Sequence, residues 1–199
     1  MKVQKIKDIF ALDIGIPRKN ITFIPQPEFH IDMHMRPLRP GEIMLNDFDE
    51  NIKLIDKALL KPDIKEWEKK ELKSMKENSL KMKKVMQPVM DEIKKTLELS
   101  GIKVIKSPGV MEGKMTNQET RKVNFLNAVP GTTKGTNTQF YITNYTSIKP
   151  LRESFIEYMK SLGIEKIYWV GDDGGGEHEH STSEQSLELD GGLDCRENH

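Results

Sequence analysis

An α/β fold is predicted for this chain, and three observations predict it. Strand-like and helix-like segments alternate in the order β-β-α-β, and that order occurs twice. The strand-like runs are short, rich in β-branched and aromatic residues, and bounded by Pro, Gly or Asn. Between them lies a long polar stretch in which Met82, Val85, Met86, Val89, Met90, Ile93 and Leu97 recur at three- and four-residue steps, one face of an amphipathic helix.

Taken in order, NITFIPQ (20–26), FHIDMHMRPL (29–38) and EIMLND (42–47) read as strands. RPLRPGE reads as the hairpin connection between the last two, with Pro40-Gly41 at its turn. Residues from about 50 to 99 read as helical, with Pro62 and Pro88 expected to break or kink the pattern. Ser100-Gly101 is the expected stop. The lysines of this stretch are interleaved with glutamates and read as a solvated face. IKVIKSP (102–108), KVNFLNAV (122–129) and TQFYITN (138–144) read as strands, with a polar Gly/Thr loop joining the last two. SIKPLRESFIEYMKSLG (147–163) reads as a helix: Leu151, Phe155, Ile156, Met159 and Leu162 share a face, and Gly163 ends it. IEKIYWVG (164–171) is an apolar strand, DDGGGEHEHSTSEQS (172–186) a loop without periodicity, and LELDGGLDC a short strand with a glycine turn.

Composition narrows the function classes. The 199 residues fit one domain with a real core, 36% hydrophobic and 31% charged. Basic and acidic residues balance at 31 each, so charge gives no reason to expect nucleic acid or an anionic membrane as partner. A single cysteine, Cys195, forms no internal disulfide, which favours a reducing compartment. No run approaches the roughly 20 apolar residues of a membrane span, and the N-terminal sequence lacks the apolar run of a signal peptide. A cytoplasmic location is expected.

Three places could carry chemistry. In a strand, His30, Asp32 and His34 would project to one face, while Phe29, Ile31 and Met33 take the other. That row is either the solvent face of an edge strand or a polar row kept for a reaction, in which Cys195 would be the nucleophile and His30 its acid or base. His178 and His180, with Asp172, Asp173, Glu177 and Glu179, offer metal-ligand types but lack a third ligand at a diagnostic spacing. GTTKGTNT (131–138) has glycine and lysine without the phosphate-loop order, and reads as a hairpin loop.

FHIDMHMRPLRPGEIML resembles the His-x-Asp strand and following hairpin of the guanidino-group-modifying (pentein) superfamily, which includes arginine deiminase, agmatine deiminase, dimethylarginine dimethylaminohydrolase and the amidinotransferases. SEQSLELDGGLDC is similar to the segment that carries their nucleophilic cysteine near the C-terminus. The resemblance implies a propeller of ββαβ modules, of which residues 1–199 would form a single domain, the C-terminal portion. It also implies a reaction. Cys195 would add as thiolate to the guanidinium carbon, and His30 would protonate the departing amine and then activate water. Asp32 would hold the guanidinium plane through charge-assisted hydrogen bonds, and the Gly191-Gly192 turn would admit the substrate close to the backbone. The implied activity is that of a hydrolase of arginine-like compounds. An amidinotransferase sharing the covalent amidino-thioether, or a catalytically silent remnant acting as a binding module, are the alternatives. No cofactor and no metal is expected.

The family's propeller has five modules, and this chain accounts for about two. The chain is therefore expected to be part of a longer protein or to self-associate, because an incomplete propeller leaves sheet edges open. Asp194 stands beside Cys195, where a carboxylate opposes thiolate formation.

Overall fold

The structure, a computed structural model, describes residues 2–28, 30–114 and 120–171. It begins with a helix, α1 (Lys2–Ile14), and an irregular stretch containing one 3-10 turn at Arg18–Asn20. The first ββαβ unit follows. Strands β1 (Met35–Arg39) and β2 (Glu42–Asn46) form an antiparallel hairpin around Pro40-Gly41, where Gly41 takes a φ of 78° that favours glycine. The chain then crosses over through α2 (Phe48–Leu59) and α3 (Glu66–Leu99) to β3 (Lys103–Ser107), which lies parallel to β2.

A separate hairpin, β4 (Val110–Lys114) with β5 (Thr120–Asn124), packs β4 along α3. The second unit repeats the first. Strands β6 (Ala128–Thr132) and β7 (Gln139–Asn144) are antiparallel, and α4 (Lys149–Ser161) leads to β8 (Lys166–Val170), parallel to β7. The two sheets have the same order, β1-β2-β3 and β6-β7-β8, and both middle strands end on an asparagine, Asn46 and Asn144. A mixed helix-and-strand fold made of ββαβ units is thus present. No helix among the described residues is long and apolar enough to cross a membrane.

Four expectations need correction. NITFIPQ is not a strand: residues 21–27 have no regular structure. Pro25 and Pro27 have no N–H to give to a ladder, and Ile24 instead packs on the cluster around Leu45 and Met90. The strand expected at 29–38 starts only at Met35, because Ile31–Met33 coil into a 3-10 turn closed by the His34 amide donating to the Ile31 carbonyl at 2.9 Å. KVNFLNAV is not one strand. The Asn124 side-chain oxygen accepts from the amides of Leu126 (3.0 Å) and Asn127 (3.2 Å), a turn that ends β5 before β6 begins. Finally, Pro62 falls in the break between α2 and α3, whereas Pro88 lies inside α3, so of the break or kink expected there the break does not occur.

One buried cluster joins both units. Met44, Ile55 and Leu72 of the first pack with Tyr141, Leu151 and Phe155 of the second, along with Phe125 between them. Phe155 stacks on Phe125 at a ring-centroid distance of 4.1 Å, with Trp169 at 6.1 Å and Tyr141 at 6.2 Å. Burial pushes the Tyr141 hydroxyl well above its ordinary pKa, and it donates to the Phe125 carbonyl at 2.9 Å. A second cluster (Leu45, Phe48, Met90, Ile93, Leu97) lies under the C-terminal half of α3.

Polar ties fix the units to each other. Arg36 in β1 donates to the Leu126 carbonyl at 3.0 Å. Arg39 donates through Nε and Nη2 to Gln139 Oε1 at 2.8 and 2.7 Å, and also to the Leu162 carbonyl. The buried amide of Asn51 in α2 reaches the loop before β4. Its nitrogen donates to the Val110 carbonyl (2.9 Å), and its oxygen accepts from the Gly109 amide (2.8 Å). A Cβ at Gly109 would lie 2.7 Å from both Asn46 Oδ1 and Leu126 Cδ1, so only glycine fits there without displacement.

Asp47 caps α2, accepting from the amides of Asp49 (3.0 Å) and Glu50 (3.2 Å), while its second oxygen lies 2.8 Å from Lys106 Nζ. Burial raises the Asp47 carboxyl, but Lys106 and the capping amides outweigh burial and hold it below its ordinary value. Glu157 is pulled down to about 2 by Lys57 and then Lys61. Both carboxyls are lowered by folding. Their stabilisation is therefore present above the unfolded-state values, about 4, and is lost as pH falls through the folded ones. The urea midpoint is expected to stay level from neutrality to about pH 5 and to fall between about pH 4 and 2. Asp47→Asn should flatten part of that fall, and a midpoint unchanged from pH 5 to about 2.5 would contradict the assignment.

Candidate functional site

The lead-in to β1 carries the residues that the sequence singles out. His30 precedes the 3-10 turn and Asp32 lies within it. Both side chains are more than half exposed, and His30 Nδ1 lies 3.9 Å from Asp32 Oδ1. The two are therefore neighbours facing solvent, brought together by the turn and not by alternation along a strand. A carboxylate beside an imidazole can orient its ring and, when protonated, stabilise its charge. Both remain accessible to a small substrate.

His34 is separated from this pair. In a strand it would share their face; in the turn it points inward and is 2% exposed. Its Nε2 lies 3.3 Å from Glu28 Oε2 in an ion-pair contact that is not a hydrogen bond, and neither ring nitrogen has a hydrogen-bond partner among the described residues. His34 lines a small cavity of about 40 Å³, between Glu28 at the rim, Asn78 and Ser79 of α3, Phe48 of α2 and Glu112 of β4.

Ser79 is likewise 2% exposed, and its hydroxyl has no hydrogen-bond partner among the described residues. The sequence does contain a signal for it. Leu72, Met75, Ser79, Met82, Met86, Met90, Ile93 and Leu97 step along one face of α3, and Ser79 is the polar member of an otherwise apolar row. Glu28 and Glu112 have no such signal, because they come from an irregular segment and a short hairpin. Glu112 is paired with Lys122 at 3.0 Å.

Cys195, Gly191 and Gly192 lie outside the described residues, as does the HEH loop with His178 and His180. The GTTKGTNT segment is a hairpin connection. Thr133 and Thr138 close it backbone to backbone at 2.9 Å, and Gly135 and Asn137 take positive φ values of 97° and 54°. Among the described residues, no group of three or more His, Cys, Asp or Glu is placed to hold a metal ion. A shallow depression of about 490 Å³ runs along the β1–β2 turn beside Pro37, Pro40, Ile43, Ile102 and Pro130 and is mainly apolar.

No family model matches the chain, and no curated protein matches it either.

Proposed function

We propose that the chain is part of a ββαβ propeller that hydrolyses a small guanidino compound through Cys195. The observation that carries this reading is the placement of His30 and Asp32. They lie side by side and open to solvent, 3.9 Å apart, at the entrance to the first of two ββαβ units with the same strand order.

The chemistry follows from the groups. The Cys195 thiolate adds to the guanidinium carbon, and the tetrahedral adduct collapses as imidazolium His30 gives its proton to the departing amine. This leaves an amidino-thioether on sulfur. Neutral His30 then takes a proton from water, whose oxygen adds to the same carbon, and the C–S bond breaks to return the thiolate. The products are a ureido compound and ammonia or an amine. Asp32 accepts N–H bonds from the guanidinium, a contact that fixes the plane under attack.

Incubation with arginine, agmatine and methylarginines tests the reading through release of ammonia or amine and formation of a ureido product. His30→Asn should lower kcat by about a hundredfold or more, since proton transfer is needed in both halves of the reaction. Absence of product from every guanidine, in protein shown to be folded, would overturn the proposal.

A further inference from the structure

We propose that the cavity beneath His34 binds a small organic cation bearing N–H groups, an ammonium or guanidinium head. Its lining accepts hydrogen bonds and carries negative charge. Glu28 and Glu112 both border it; Lys122 pairs with Glu112 at 3.0 Å, and the Glu28 carboxylate at the rim has only the His34 ring, 3.3 Å away, among the described ion pairs. Deeper in, the His34 ring and the Ser79 hydroxyl are each 2% exposed and lack a hydrogen-bond partner among the described residues. Buried polar groups are rarely left in that state, because each forfeits its hydrogen bonds to water. Here both line the same space, so an occupant with N–H donors serves the Ser79 oxygen and the acceptor nitrogen of the His34 ring together. Asn78 adds a side-chain amide, which can turn its oxygen to a donor, and the buried Phe48 an aromatic wall of the kind that attracts cations.

Size and charge restrict the occupant. A volume of about 40 Å³ holds a few water-sized atoms, enough for a charged head but not for a whole nucleotide or sugar. An anion would meet the Glu28 and Glu112 carboxylates. The half-exposed position of Glu28 (38% for its side chain) leaves the rim open, so the remainder of the ligand can project outward. The described residues that line the site are not those of the proposed hydrolysis, and binding does not depend on that reaction.

The test is titration of the full-length protein with methylammonium and methylguanidinium, followed by the NMR signals of the His34 ring, with tetramethylammonium as a cation lacking N–H donors. Methylammonium or methylguanidinium should give saturable shifts, and the stronger of the two identifies the head group. Tetramethylammonium should give none. Glu28→Gln should weaken binding about tenfold or more, because it removes a charge-assisted partner. Ser79→Ala should weaken it about three- to tenfold. Cys195→Ala should bind as the unaltered protein does, whether or not it hydrolyses guanidines. The proposal is overturned if neither N–H cation shifts the His34 ring, which would mean that water fills the cavity. It is also overturned if tetramethylammonium binds equally well, or if Glu28→Gln leaves affinity unchanged.

Discussion

Phe155→Ala is expected to lower unfolding stability by about 3–5 kcal/mol, the usual range for emptying a fully buried aromatic site. Phe155 is fully buried and contacts the rings of Phe125, Tyr141, Tyr158 and Trp169, which belong to different segments. Few of those neighbours can move in to fill the space. Phe125 sits in the turn between β5 and β6, and Tyr141 is held by its hydrogen bond to the Phe125 carbonyl. The cavity term should therefore add to the lost transfer energy. Urea denaturation measures the effect. Because Phe155 joins residues of both ββαβ units, the units should still unfold together. Loss of under about 1 kcal/mol would mean that the ring cluster is not the centre of the core.

Glu68→Ala is expected to cost about 3 kcal/mol, through two helix starts at once. Glu68 is 3% exposed in the first turn of α3. One carboxylate oxygen accepts from the Lys65 amide at 2.9 Å, completing the start of its own helix. The other accepts from the Lys149 amide at 3.0 Å, the first residue of α4, so one side chain serves the N-termini of two helices from different units. Glu68→Gln keeps one acceptor oxygen and should cost less than Glu68→Ala. Equal effects from the two variants would mean that packing, not acceptance of the two amides, sets the cost.

The parts of the fold legible in the sequence are those where periodicity and packing agree. Of the apolar steps from Met82 to Leu97, Met90, Ile93 and Leu97 are buried, Met82, Met86 and Val89 pack against them, and Val85 is exposed; the row Leu151, Phe155, Met159 is the buried face of α4. EIMLN, QFYITN and KIYWV are strands because each has a partner on at least one side. Where side-chain hydrogen bonds compete with the ladder, pattern reading fails. Asn124 ends β5 by binding two following amides, although KVNFLNAV is continuous in β propensity. The same holds before β1: polar and apolar residues alternate through HIDMH, yet the backbone closes a 3-10 turn there.

That turn changes the site. The pair His30 and Asp32 was legible as a candidate, and the two side chains are adjacent. His34 was legible as their companion, but the turn sends it inward to a different cavity. The other residues bordering that cavity come from α2, α3, β4 and an irregular segment. Only tertiary packing brings them together, and no local pattern encodes it.

The proposed thiolate chemistry is tested most directly by comparing the protein with its Cys195→Ala variant on a panel of guanidines, with the ureido product quantified. Product is expected from at least one guanidine with the unaltered protein, and none above background with Cys195→Ala of matching thermal stability. Equal product from both proteins would contradict it.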